Sequence, residues 1–287
     1  MAILRLHHLG VAVRDVEDAA TRFGQIFGFE MPDFRTDPTT GRGDAKLLLG
    51  NGCYLHLMQR QRPGHRLTHW VREHGDGLEH IALETDDIEA DVAHLRRLGV
   101  GIHEDRILDE PNSYETFIFP DQPPGVRIEL VQQKPDGWAP PECLPRVSRW
   151  TGVRQLHHVG VGVHNREATC AWFERLFGLQ ASHFRDGQSK GMQNDARIMF
   201  PNDCWLHICQ NWNPQHRLNQ FVREHGEGPE HIALETTTVE ADAQHFRDLG
   251  LQLYRDKVFT PDDGADGYEL FLMRDQAPIM VEVIQPM

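Results

Sequence analysis

Short apolar runs alternate with amphipathic stretches along this chain, and the alternation repeats. Leu4-Arg-Leu-His-His-Leu-Gly-Val-Ala-Val13 is apolar and β-branched enough to predict a buried strand. Asp15 follows as a helix N-cap, with Asp18 three residues on. Ala19, Phe23, Ile26 and Phe27 then recur at three- and four-residue spacings, the apolar face of a helix that Gly28 closes. Residues 32–44, rich in Thr, Asp, Pro and Gly, predict a loop. Lys46–Leu49 and Cys53–Gln59 predict two strands joined by Gly50-Asn51-Gly52. A second unit of the same shape follows. Glu79–Thr85 predicts a strand and Ile88–Leu98 a helix ending at Gly99. Val100–His103, Tyr114–Phe119 and Val126–Gln132 predict three more strands.

The pattern lapses between Gln133 and Gly152, where Pro135, Pro140, Pro141 and Pro145 oppose regular structure and mark a linker. Everything then restarts. Leu156-His-His-Val-Gly-Val-Gly-Val163 repeats the opening strand, and Asn165 to Gly178 repeats the first helix. Glu79-His-Ile-Ala-Leu-Glu84 returns as Glu230-His-Ile-Ala-Leu-Glu235 at an offset of 151 residues. A near-constant offset over most of the length is an internal repeat. The expected organisation is a half at 1–133, a Pro-rich linker at 134–152 and a second half at 153–287, each half made of two βαβββ-like modules.

Composition narrows the function classes. With 287 residues the chain can bury a large core. A net charge of -14 without a basic run argues against nucleic-acid binding. No apolar run approaches a membrane span, and the N-terminus lacks a signal-peptide pattern. Five cysteines with no CxxC pair fit a reduced, cytoplasmic protein. The 18 histidines are more than composition requires.

Some of these histidines interrupt apolar strands in a fixed order. The first half carries His8, His56, His80 and Glu129 at gaps of 48, 24 and 49 residues. The second carries His158, His207, His231 and Glu282 at gaps of 49, 24 and 51. Strand alternation points each to one sheet face. A buried carboxylate among imidazoles needs a counter-charge, and a divalent cation supplies it. Mixed imidazole and carboxylate donors suit Fe, Co, Ni, Zn or Mn. All eight residues are therefore candidate metal ligands. His7 and His157 alternate to the opposite face and are expected to support the ligands.

These residues and motifs resemble the vicinal oxygen chelate superfamily of glyoxalases, bleomycin-resistance proteins and extradiol dioxygenases. The closest motifs are those of methylmalonyl-CoA epimerase, through His8-Leu-Gly-Val-Ala-Val13, Phe23 to Gly28, Val71-Arg-Glu-His-Gly75 and His80-Ile-Ala-Leu-Glu84. The resemblance implies an α+β fold of four βαβββ modules paired into cupped, barrel-like mixed sheets with helices outside. It also implies four metal ligands per half at the positions named above. Two features depart from the epimerase pattern: two halves are fused, and the second ligand position is His.

Three neutral imidazoles and one glutamate would leave a divalent ion formally +1, a good Lewis acid for an enolate. The leading expectation is thus a metal-dependent isomerase, epimerase or lyase. Its small-molecule substrate would chelate through adjacent oxygens, with Glu129 and Glu282 as ligands and catalytic bases. The rival is an extradiol-type ring-cleaving dioxygenase using Fe(II), whose two-His-one-carboxylate site leaves positions open. A fourth ligand at His56 or His207 counts against it, as does Phe119 or Leu272 at the position where that family carries a tyrosine. A third reading is a non-catalytic binding or resistance protein. The chain is expected to be pseudo-dimeric and able to form a homo-oligomer. Tyr114-Glu115 and Tyr268-Glu269, Asp44 and Asp195, and His65-Arg66 and His216-Arg217 are matched polar positions that could shape the pocket.

Overall fold

The computed structural model describes residues 1–119, 125–140, 147–187 and 193–287. The predicted linker prolines Pro141 and Pro145 lie outside these residues, and the remainder of 134–152 has no helix or strand.

The first half runs β1 (Ile3–Ala12), α1 (Val16–Phe27), β2 (Asp33–Asp37), β3 (Arg42–Gly50), β4 (Cys53–Arg60), α2 (Arg66–His74), β5 (Gly77–Thr85), α3 (Ile88–Arg97), β6 (Leu108–Asp109), β7 (Ser113–Ile118) and β8 (Ile128–Gln133). The second runs β9 (Val153–Gly162), α4 (Arg166–Phe177), β10 (Ala181–Asp186), β11 (Gln193–Met199), β12 (Trp205–Asn211), α5 (Arg217–His225), β13 (Gly228–Thr236), α6 (Val239–Asp248), β14 (Gly267–Leu272) and β15 (Met280–Pro286). Each half forms one curved mixed sheet, in the order β2-β3-β4-β1-β5-β8-β7-β6 and β10-β11-β12-β9-β13-β15-β14. The helices pack outside, and the fold is the expected α+β repeat of βαβββ-like modules. Among the described residues, no helix is long and apolar enough to cross a membrane.

The chain divides into two compact units. One comprises Met1–His8, Glu79–Pro140 and Val159–Glu230; the other comprises Leu9–Leu78, Pro141–His158 and His231–Met287. Each unit therefore contains one module from each half.

Local chemistry explains the elements. The Asp15 side chain accepts from the Glu17 and Asp18 amides at the start of α1, and Gly28 ends the helix at φ 63°. Phe23 and Phe27 on its inner face are fully buried. Three elements differ from expectation. Residues 32–44 hold β2 and the start of β3 as well as a turn: β2 is a polar, largely exposed edge strand held by pairing of Asp33–Asp37 with Arg42–Lys46. The helix α2 has only nine residues and was hidden by its polarity. Leu67, Trp70 and Val71 supply a narrow apolar stripe that packs on Ala12 and Met58, and the His65 imidazole caps the Leu67 amide. Val100–His103 forms no strand, because a tight turn follows at once with Glu104 and Asp105 both in the left-handed region.

Candidate metal centres

The parallel pairing of β5 with β8 sets Ala82 against Glu129. Alternation along β5 puts His80 on the same face as Ala82, and the small Ala82 leaves room beside the carboxylate. β7 adds Phe117 opposite Glu129. The second half repeats the arrangement, with Ala233 against Glu282 and Phe271 opposite Glu282.

This register brings three donors together in each half: His8, His80 and Glu129, and again His158, His231 and Glu282, with the ligand atoms of each group within 4.8 Å of one another. All six residues are at most 5% exposed, so water cannot solvate the charge. In the first group Glu129 Oε2 lies 3.1 Å from His8 Nε2 and 2.9 Å from His80 Nε2, and the two Nε2 atoms are 3.3 Å apart. Donors at right angles on an ion with ~2.1 Å bonds stand about 3.0 Å apart, whereas tetrahedral donors stand about 3.4 Å apart. The spacing is closer to one face of an octahedron. In the second group Glu282 Oε2 lies 3.7 Å from His158 Nε2 and 3.2 Å from His231 Nε2, a looser set of the same kind. Convergent buried imidazole and carboxylate donors are suited to a divalent metal ion.

Electrostatics agree. Burial disfavours charge on Glu129, but His8 and His80 outweigh it and hold the carboxyl well below its ordinary range. Burial would likewise lower His80, yet Glu129 and Glu79 raise it to about 9. Glu129 and Glu79 together make this pocket electronegative, a setting that favours a bound cation. Behind the donors, His80 Nδ1 lies 2.8 Å from Glu79 Oε2, and Arg127 Nη1 donates to Glu79 Oε1 at 3.1 Å. A carboxylate on the far imidazole nitrogen fixes ring orientation and raises ligand basicity. Arg217, one of the matched arginines, pairs with Glu230, the counterpart of Glu79.

His56 and His207, expected as fourth ligands, belong to neither group. His56 Nε2 lies 3.3 Å from Asp44 Oδ1, and His207 Nε2 lies 3.6 Å from Asp195 Oδ2. Asp44 also accepts from Arg42 and Arg60, and Asp195 accepts from Arg185. His65 and His216 serve as helix caps. Tyr114 and Tyr268 are exposed, while the neighbouring Glu115 and Glu269 turn inward. Burial and then the Glu129 carboxylate push the Glu115 carboxyl up to about 8; burial and Glu282 do the same to Glu269. In both halves a buried glutamic acid thus stands beside a ligand carboxylate whose charge opposes its ionisation. The aromatic surroundings were not foreseen. Phe117 meets His80 edge-on at 5.5 Å and stacks on Phe119, with His103 against both. Phe271, Phe259 and Tyr254 make the corresponding cluster near His231. The sequence signal was an aromatic residue at the same place in both halves, Phe117 and Phe271.

Two tandem βαβββ halves, each with a buried His-His-Glu cluster, define a metal-dependent catalytic protein of duplicated design. The chain belongs to the glyoxalase/bleomycin resistance protein/dioxygenase superfamily, whose family model matches residues 7–105 and 157–271. It is 29% identical over 136 residues to the uncharacterized protein YaeR of Escherichia coli, covering 46% of this chain and 99% of that protein. It is 28% identical over 132 residues to the mitochondrial methylmalonyl-CoA epimerase of Homo sapiens, covering 45% of this chain and 73% of the enzyme. Along its whole length the fold is similar to a mutant 4-hydroxymandelate synthase from Streptomyces coelicolor, with TM-score 0.72, 17% identity, 99% of this chain covered and 93% of the other.

Proposed function

We propose that this chain is a non-haem Fe(II)-type oxygenase acting on a small molecule with two adjacent oxygens, a ring-cleaving dioxygenase of catechol-like substrates being the form to test first. The observation that carries this reading is the donor set: two imidazoles and one carboxylate on one face at 2.9–3.3 Å spacing, without His56 among them. Two histidines and a carboxylate with open positions opposite are the ligand set of non-haem Fe(II) oxygenases. The main sequence-based objection to a dioxygenase, a fourth histidine filling the site, is weakened by the Asp44–His56 ion pair.

An ion held by His8, His80 and Glu129 would supply Lewis-acid anchoring for the substrate oxygens and, as Fe(II), the redox chemistry that O2 requires. The protein's own part follows from its residues. Glu129 offsets one of the two metal charges and the neutral imidazoles none, so the site retains attraction for an ionised substrate oxygen. Glu79 orients His80. Phe117 and Phe119 exclude water beside the donors and present flat apolar surface. Glu115, buried beside Glu129, is the nearby carboxyl that could give or take a proton at a substrate oxygen.

A second reading is a metal-dependent isomerase that stabilises an enolate. The 28% identity to methylmalonyl-CoA epimerase favours it, and so do Glu115 and Glu269, poised at about 8 as acid–base groups. One experiment separates the two. The Fe(II)-loaded chain is assayed with catechol in an oxygen electrode and with methylmalonyl-CoA and a hemithioacetal in D2O. Oxygen uptake matched to catechol consumption is expected. Deuterium wash-in to methylmalonyl-CoA without oxygen uptake would replace the oxygenase reading with the isomerase.

A further inference from the structure

The two centres share their donor types but not the charge around them, and the clearest difference lies in one turn. In the first half the His80 imidazole meets Phe117 edge-on at 5.5 Å, and His103 packs against Phe117 and Phe119 at 6.5 and 4.9 Å. In the second half His231 lies 6.3 Å from Phe271, which meets Phe259 and Tyr254 edge-on at 5.9 and 6.4 Å. Tyr254 takes the place of His103 at the repeat offset of 151 residues. A run of ring contacts thus leads from a ligand imidazole out to the turn 103–106 in one half and 254–257 in the other.

The turn is built alike in both halves. Glu104 and Asp105 have φ of 52° and 51°, and Arg255 and Asp256 have φ of 56° and 50°. Two consecutive non-glycine residues in the left-handed region are unfavourable, and such strain persists where the surrounding structure imposes it, often beside a ligand site. The Asp105 amide donates to the Ile102 carbonyl at 3.1 Å, and the Asp256 amide to the Leu253 carbonyl at 2.9 Å. Each aspartate pairs with the preceding helix, Asp105 with Arg96 at 2.6 Å and Asp256 with Arg247 at 3.4 Å. The backbone is therefore kept while the charge beside it is reversed, with Glu104 in the first half and Arg255 in the second. Glu104 pairs with Arg106 and lies 3.6 Å from His103 Nε2. Arg255 lies over the Tyr254 ring, 5.2 Å from its centroid. Lys257, at the place of Arg106, lies 4.8 Å from the Phe259 centroid and 2.7 Å from Asp263. Two cations thus rest on the aromatic cluster that leads to His231, whereas an acid stands by the one that leads to His80.

We propose that this turn divides the substrates between the centres: the first takes a ring diol without further charge, and the second takes one that also carries a carboxylate. A substrate anchored by its two adjacent oxygens carries its other substituents away from the metal. A guanidinium by the aromatic wall attracts a carboxylate there, and a glutamate at the same place repels it. Glu104 and Arg255 are exposed, so the attraction is weakened by salt. The inference rests on the reading of both centres as metal sites for substrates with adjacent oxygens.

The test isolates each centre in the full chain, His231→Ala leaving the first and His80→Ala the second. Each variant is loaded with Co(II) and titrated without oxygen with catechol and with 3,4-dihydroxybenzoate, the Co(II) absorption reporting binding. The affinity for 3,4-dihydroxybenzoate relative to catechol is expected to be about 10-fold higher at the second centre in low salt, and the difference to shrink at about 0.5 M salt. Arg255→Glu in the His80→Ala chain is expected to lower that ratio by about 10-fold with catechol affinity unchanged, and Glu104→Arg in the His231→Ala chain to raise it by a similar factor. Equal ratios at the two centres, or an Arg255→Glu change that weakens both ligands alike, would overturn the division. If neither ligand alters the Co(II) spectrum at either centre, the adjacent-oxygen reading fails and the division with it.

Discussion

At the scale of single residues, the chemistry is set by what stands behind each donor. Glu79 is buried between His80 and Arg127, and its Oε2 holds the far nitrogen of the His80 imidazole. Glu79→Gln is expected to lower metal affinity at the first centre by roughly 10- to 100-fold without unfolding the chain, measurable by competition with a chromophoric chelator. Asp195 gives a separate, pH-dependent expectation. Burial would raise its pKa, but His207 and Arg185 outweigh that and lower it to about 2. A carboxyl whose folded value lies below its unfolded one contributes stability that is present above the unfolded pKa of about 3.9 and lost as pH falls towards the folded value. Asp195→Asn should therefore lower Tm at pH 6 and flatten the fall in Tm between pH 5 and pH 2. An unchanged acid limb would remove Asp195 from the list of groups that stabilise the fold. The roles of His56 and His207 were only half legible in the sequence. Their place in apolar strands was plain, but Asp44 and Asp195 reach them diagonally from the neighbouring strand, where Lys46 and Arg197 stand directly opposite the histidines, and pairing register leaves no local mark.

Among the elements, helices with capped ends and strong apolar faces were readable, and polar or short ones were not. The first helix was predictable because Asp15, Phe23, Phe27 and Gly28 all favour one answer. The strand β2 and helix α2 were missed because their stability comes from tertiary pairing rather than from local propensity. Gly28 and Gly178 close equivalent helices with φ of 63° and 70°, yet their surroundings differ. A Cβ on Gly178 would meet nothing within 4 Å, whereas one on Gly28 would lie 2.6 Å from Trp150 Nε1 and 2.9 Å from Arg149 Cβ. Gly178→Ala should cost only the left-handed backbone penalty of about 1 kcal/mol. Gly28→Ala should cost more, roughly 2–4 kcal/mol, as overpacking adds to that penalty. Urea denaturation of the two variants makes the comparison, and equal losses would mean that Trp150 does not pack on the helix end.

For the molecule as a whole, the repeat makes the architecture legible in the sequence, because His8, His80 and Glu129 recur in order as His158, His231 and Glu282. The composition of the compact units was not legible. Each joins a module from one half to a module from the other, and a sequence offset cannot say which modules pack together. Nor could spacing alone tell three converging donors from four. Because an ion would bind the folded chain and not the unfolded one, added metal should raise Tm. At a free concentration of 100 times Kd the gain is about 2.7 kcal/mol per site, and a chelator should reverse it. The most direct test of the central claim is the number of metal ions bound per chain, counted by elemental analysis in wild type, His80→Ala, His231→Ala and the double variant. Two ions, one, one and none are expected. A double variant that retains the wild-type metal count would contradict the assignment of both centres.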